Sequence, residues 1–263
     1  MRVKPGSKVS LKKYDANDTG PYASQQQAEK PLLKLLDELA RLQNLLYAQN
    51  KHGLLIILQG MDTSGKDGTI RHVMSSVSPL GVEVKAFKVP TEEELAHDFL
   101  WRVHKAVPRH GFIGIFNRSH YEDVLVVRVH DLAPRKVWKT RYDQINSFER
   151  ILTKNGVIIL KFFLHISKSE QRERLKQRLA DPTRYWKFSL SDVEERQYWS
   201  IYRKAYEDAL SKCSTKWAPW HIVPANQKWY RNLVVAETIV KTLQELKMEY
   251  PPPSVDLSKV VIE

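Results

Sequence analysis

Gly60-Met61-Asp62-Thr63-Ser64-Gly65-Lys66 sets two glycines five residues apart with a lysine directly after the second, and Asp67 and Gly68 follow. Backbone N–H groups of such a loop can surround phosphate oxygens, and a helix opening at its end adds positive potential. Glycine permits the tight turn and the close approach of backbone to ligand. Lys66 would reach the oxygens of a transferred phosphate. A bare match of this kind arises by chance in roughly one chain in ten of this length. Its setting therefore matters: an apolar run over 54–58 leads directly into it, and a helical pattern opens near Lys66. The position that ordinarily carries Ser or Thr after the lysine holds Asp67, and Asp62 stands inside the loop. Two carboxylates beside a polyanion repel it unless a divalent cation intervenes. Magnesium takes one or two carboxylates plus phosphate oxygens, so Asp62 and Asp67 are candidate Mg2+ ligands. The plain alternative is two solvated side chains, with Asp67 favoured by the helix dipole.

A second constellation follows the apolar run at 112–116, in Asn117-Arg118-Ser119-His120-Tyr121-Glu122-Asp123. Polar residues at the carboxyl end of a strand are where open α/β sheets bind ligands. Arg118 could clamp a phosphate with its planar fork, and Asp123 or Glu122 could supply a further carboxylate to magnesium. Ser119 reads as a helix cap, and His120 as a packing or hydrogen-bonding residue. A third cluster, over 168–187, carries Arg172, Arg174, Lys176, Arg178 and Arg184 against Glu170, Glu173 and Asp181. Arg174 and Arg178 share a helix face, and Asp181-Pro182 breaks the helix. A basic helix after a core strand, then a break, resembles the lids that close over the phosphates of nucleotide kinases and exclude water. Cys213 is the single cysteine, so an internal disulfide is impossible, and nothing beside it would activate the thiol.

These groups need a scaffold. Strands are expected over 54–58, 82–87, 112–116, 157–165 and 221–223, several of them continuous apolar runs suited to burial on both faces. Helical patterns lie over 66–77, 92–106, 136–155, 168–180, 190–212 and 228–247. A leading helix from Pro31 carries Leu32, Leu35, Leu36, Leu39, Leu42 and Leu46 on one face. Residues 1–23 read as an irregular arm and 251–263 as a surface tail after Pro251–Pro253. The alternation predicts an α/β fold with a parallel sheet covered on both sides, in a single domain of 263 residues.

Lys and Arg number 42 against 30 Asp and Glu, a net charge of +12. Such an excess draws anionic partners: nucleic acid, a membrane surface or a phosphate-rich substrate. No apolar run is long enough to span a bilayer, and the basic start lacks a secretory signal's apolar stretch, so a cytoplasmic protein is expected. Trp101, Trp138, Trp186 and Trp229 could act as stacking platforms for nucleic acid, but they are scattered and no nucleic-acid motif accompanies them. An ATP-dependent nucleoside or nucleotide kinase would need a base pocket and no extended basic channel. A long polyanionic donor accounts for the charge better than ATP does.

Taken together, the loop Gly60–Gly68, the segment Phe116–Asp123 and the arginine-rich stretch around Arg178 resemble the polyphosphate kinase 2 family. The likeness extends from the leading helix to the 217–225 region, and Asp67 in place of Ser or Thr is characteristic of that family. The resemblance implies a three-layer, thymidylate-kinase-like P-loop kinase fold. It also implies reversible phosphoryl exchange between inorganic polyphosphate and adenine, with guanine a further candidate, nucleotides, with Mg2+ as cofactor. Gly60, Met61, Thr63, Ser64, Gly65, Lys66, Asp67 and Gly68 would bind phosphate together with Arg118, Arg174 and Arg178. Asp62, Lys66, Arg118 and Arg178 would carry the chemistry, and Asp62, Asp67 and Asp123 would hold the metal. No nucleic acid or membrane partner is implied, and assembly as a homodimer or homotetramer is. Tyr121-Glu122-Asp123 is similar to the subgroup that accepts nucleoside monophosphates as well as diphosphates.

Overall fold

The computed structural model describes residues 1–262. Five segments pair into one parallel sheet: Gly53–Gln59 (β1), Val82–Ala86 (β2), Ile113–Asn117 (β3), Val157–His165 (β4) and Trp220–Pro224 (β5). Their order is β2-β3-β1-β4-β5. All seven residues of β1 are buried, as a central strand covered on both faces requires. Edge strand β2 lies largely exposed. The connection from β1 leaves toward one edge of the sheet and those from β3 and β4 toward the other. The carboxyl ends of β1, β3 and β4 therefore meet at a topological switch point, the crevice where open α/β sheets hold ligands.

Six long helices cover the sheet: Gln25–Gln49 (α1), Lys66–Val73 (α2), Arg135–Lys154 (α3), Lys168–Ala180 (α4), Trp199–Lys212 (α5) and Lys228–Glu245 (α6). The leucine stripe of α1 behaves as its spacing predicts, with Leu39, Leu42 and Leu46 buried where α1 packs along α6. That helix begins at Gln25, six residues before the expected start, and Pro31 lies inside it. Losing one N–H there is outweighed by burial of Ala28 and the leucines.

Three other expected helices are shorter or broken. α2 stops at Val73 rather than 77. The 92–106 pattern divides into Glu92–Ala96 and Trp101–His104, because the Asp98 carboxylate accepts the Leu100 N–H and turns the chain. The 190–212 pattern divides into Leu190–Glu194, a 3₁₀ turn over Glu195–Tyr198, and α5.

The amino-terminal arm is irregular, as expected, yet it is docked rather than loose. Val3 N–H donates to Trp220 O and Ile222 N–H to Met1 O, so the arm covers the free edge of β5. Val3, Val9 and Leu11 join the core. Cys213 is buried, and desolvation pushes its thiol up to about 12, consistent with an inert side chain. Residues 250–258 and 260–262 run exposed over the surface. Among the described residues no helix is long and apolar enough to cross a membrane.

Candidate active site

The loop after β1 turns at Thr63 and Gly65, whose φ angles of 64° and 97° fall in the left-handed region. A Cβ at Gly65 would overlap the Arg231 guanidinium, and one at Gly60 would stand 2.8 Å from Leu164 O, so glycine is required at both. Three successive carbonyls of the loop are drawn back into the protein. Gln171 Nε2 donates to Asp62 O at 3.0 Å, Arg174 Nη1 to Thr63 O at 2.8 Å and Arg231 Nη1 to Ser64 O at 3.3 Å. Because peptide units are planar and trans, this directs the N–H groups of Thr63 and Gly65 to the opposite side, where a phosphate would sit. Ser64 N–H closes the turn on Met61 O. The buried hydroxyls of Thr63 and Ser64 find no hydrogen-bond partner among the described residues, which fits groups kept for a ligand.

Lys66 opens α2, and its Nζ rests 3.1 Å from Gly60 O. Burial pulls its pKa down to about 8, aided by the Arg118 charge and opposed by Asp62, Glu122 and Asp67. Asp67 lies on the exposed first turn of α2 and accepts a 2.7 Å bond from Asn117 Nδ2, which ties the loop to the end of β3.

Arg118 follows β3 with φ 63°, an uncommon conformation for a branched-free but bulky side chain and a sign of local constraint. Its Nη2 stands 2.8 Å from Asp62 Oδ1 and its Nη1 3.4 Å from Glu122 Oε2. The Glu122 charge, then Asp62, raise the guanidinium's pKa against the cost of burial. Ser119 caps the 3₁₀ turn His120–Val124 through Tyr121 N–H, as its type predicted. His120 is buried against Glu149, and desolvation lowers its pKa, which keeps it a packing residue.

Two expectations need correction. Asp123 points its carboxylate at Arg141 of α3, 3.0 Å away, and does not line the cleft. Burial lifts its pKa to about 6. The carboxylate that this turn presents to Arg118 is Glu122, because on a 3₁₀ turn neighbouring side chains diverge. Arg174 was expected on a lid face toward phosphate. It is buried instead, and holds Glu170, Thr63 O, Ala225 O and Asn226 O. The stretch 168–187 thus has two parts: α4, anchored to the loop by Gln171 and Arg174, and the more exposed chain beyond Ala180. Arg178 lies near the junction, its Nη1 2.9 Å from Asp192 Oδ2.

A cleft opens between the loop, the Arg118–Glu122 turn and α5. Asp62, Arg118 and Glu122 line one side; Trp199, Tyr202 and Tyr206 line the other, with Glu195 beside them. The aromatic trio recurs at helical spacing, and in a sequence such a stripe is indistinguishable from core packing. Gln171 and Arg231 were also missed; for Arg231 the available signal was an arginine set beside the apolar stretch Leu233–Ala236 of α6. Among the described residues no group of three or more His, Cys, Asp or Glu is placed to hold a metal. Magnesium needs fewer protein ligands than that, and the carboxylates of Asp62, Asp67 and Glu122 around Lys66 are hard oxygen donors of the right kind.

A parallel sheet with a phosphate loop at its switch point, a lysine at the helix start and an arginine–carboxylate pair facing it defines a P-loop kinase, a phosphotransferase. Comparison narrows the class. The family model for polyphosphate kinase 2 matches residues 22–251. The AMP/ADP-polyphosphate phosphotransferase of Meiothermus ruber is 52% identical over 263 residues, which is 100% of this chain and 98% of that protein. The ADP-polyphosphate phosphotransferase of Rhodopseudomonas palustris is 45% identical, over 95% of this chain and 91% of the relative. The crystal structure of polyphosphate kinase 2 from Arthrobacter aurescens TC1 superposes with a TM-score of 0.94 at 44% identity, covering 97% of this chain and 92% of that one. The chain belongs to the polyphosphate kinase 2 family.

Proposed function

We propose that this protein transfers the terminal phosphoryl group of inorganic polyphosphate to AMP and ADP, reversibly and with magnesium. The observation that carries the reading is the Asp62–Arg118–Glu122 cluster at the mouth of a loop whose carbonyls at Asp62, Thr63 and Ser64 are held back by Gln171, Arg174 and Arg231. Likeness along the full length to phosphotransferases named for polyphosphate supports the donor.

In the transfer, a terminal phosphate oxygen of the acceptor nucleotide attacks the end phosphorus of polyphosphate. One P–O bond forms, the bridging P–O bond to the chain breaks, and the chain leaves one phosphate shorter. The nucleophile is already anionic at neutral pH, so the protein supplies position and charge more than proton transfer. The loop N–H groups and Lys66 hold the moving group, and Arg118 and Arg178 bring positive charge to it. Asp62 orients the acceptor phosphate through Arg118. Asp62, Asp67 and Glu122 are the carboxylates that would hold Mg2+, which would neutralise charge on the phosphates when bound. Half-buried Trp199 and Tyr202 at the cleft would offer aromatic surface to the acceptor's base, adenine or guanine. We place the enzyme in the cytoplasm, as a homodimer or homotetramer, which light scattering of the purified protein would test.

The functional test is luciferase-detected ATP formation from ADP, long-chain polyphosphate and magnesium, repeated from AMP and without polyphosphate. ATP from both acceptors only when polyphosphate is present is the expected result. No ATP from either, by folded protein with magnesium, would overturn the reading in favour of an ATP-dependent kinase.

A further inference from the structure

Beneath the Arg118–Glu122 turn lies a group of ionisable side chains that the transfer itself does not use. Lys161 stands in the middle of β4 with its side chain fully buried, as is that of Glu149 from α3. Lys161 Nζ is 2.6 Å from Glu149 Oε2, 2.7 Å from Tyr121 Oη and 2.7 Å from Cys213 O, so all three of its protons are used. Tyr121 Oη donates to Glu149 Oε1 at 2.8 Å, and His120 Nε2 lies 3.3 Å from the same oxygen. Tyr121 packs edge-on against Trp220, with ring centroids 4.7 Å apart.

The two residues that enter this network, His120 and Tyr121, lie between the two that face the cleft, Arg118 and Glu122. The same turn is tied at its start as well. Arg118 N–H donates to Leu58 O, and Gln59 Nε2 reaches Ser119 Oγ at 3.1 Å, one residue before the phosphate loop. The network therefore holds the middle of the turn, as β1 holds its start. A buried lysine–glutamate pair adds little net stability over apolar side chains of similar volume, because desolvating both charges offsets their attraction. What it does supply is direction: Tyr121 Oη can sit in only one place if it is to accept from Lys161 and donate to Glu149.

We propose that the Lys161–Glu149–Tyr121 network is a positioning device for phosphoryl transfer, fixing the turn that holds Arg118 between Glu122 and Asp62. The three residues touch no substrate and act through Arg118. The proposal rests on the phosphotransferase reading of the cleft.

The double variant Lys161→Met/Glu149→Leu removes both charges and keeps the volume. The melting temperature is expected to fall by several degrees, because Tyr121 Oη, His120 Nε2 and Cys213 O lose the partners that Lys161 and Glu149 supply. kcat is expected to fall at least ~10-fold while KM for nucleotide and for polyphosphate moves less than about twofold. Tyr121→Phe, which keeps the ring against Trp220, should show the same split at about fivefold and covers the case of a double variant that does not fold. kcat within twofold of the parent in either folded variant overturns the proposal. Rates are taken as ratios to the parent with whichever donor the parent accepts, polyphosphate or ATP. A parent inactive with polyphosphate thus counts against the donor alone. A donor-independent readout is the crystal structure of each variant: the Arg118–Asp62 pair, 2.8 Å here, should open, and an unmoved turn overturns the proposal.

Discussion

The phosphate loop and the segment beyond Ala180 both belong to the site, yet they are held in different ways. The loop is braced through its backbone: Gln171, Arg174 and Arg231, all buried, each take one of three consecutive carbonyls. Residues 181–198 are held mainly by side-chain pairs such as Arg178–Asp192 and Arg184–Asp181. Trp186 there is 78% exposed and Leu190 73%. Buried hydrogen bonds to main-chain groups are costly to break, whereas partly exposed ion pairs are worth little and exchange readily. The contrast would suit the proposed transfer, with a loop that does not reorganise and a cover that can.

Each half of the comparison can be broken separately. Asp62→Asn leaves the brace untouched and removes the carboxylate that meets Arg118. We expect kcat to fall ~1000-fold or more with the melting temperature within a few degrees, checked by steady-state assay and calorimetry. A near-normal rate would remove Asp62 from the chemistry. Gly65→Ala attacks the brace itself, by forcing a Cβ onto Arg231 at a left-handed φ. A stability loss of about 2–3 kcal/mol in urea unfolding is expected, and a wild-type midpoint would mean that the loop can shift without cost. Arg178→Met acts on the cover alone: about a 30-fold loss of kcat without change in melting temperature. Equal losses of stability and rate would show that Arg178 is a strut.

The smallest effect expected is a pH limb. Burial lowers the Lys66 pKa to about 8, so the free enzyme loses its protonated lysine as pH rises through that value. kcat/KM, which reports the free enzyme, should fall about tenfold between pH 7 and pH 9. Lys66→Arg should remove this limb, since guanidinium stays charged. The sign for folding is the reverse: a lysine with a depressed folded pKa makes stability rise with pH from about 8 toward its ordinary value near 10.5. A limb on kcat/KM that survives in the Lys66→Arg variant would assign it to another group.

Much of this architecture was legible beforehand. The five strands, the loop at the end of the first and the motif at the end of the third follow from apolar runs and glycine spacing. The leucine stripe of α1 was visible, though its start was not, because Pro31 looked like a beginning and sits within the helix. Asp62, Lys66 and Arg118 converge as expected. Asp123 and Arg174 share their neighbours' chemistry, and only their direction separates structural from functional use. The breaks at 97–100 and 195–198 were hidden, since short polar turns inside a helical pattern leave its periodicity almost intact.

The sequence by itself determined which groups are present and the order of strand, loop and helix, because periodicity and glycine placement act locally along the chain. It also carried the family, through motifs contiguous in the chain. Tertiary structure decided which of two adjacent carboxylates, Glu122 or Asp123, meets Arg118, and that Arg118 faces the cleft while Arg174 and Arg231 hold main chain. It alone joined Lys161, Glu149 and Tyr121, residues up to 40 positions apart. These outcomes depend on side-chain direction and on burial by distant segments, neither of which local spacing encodes.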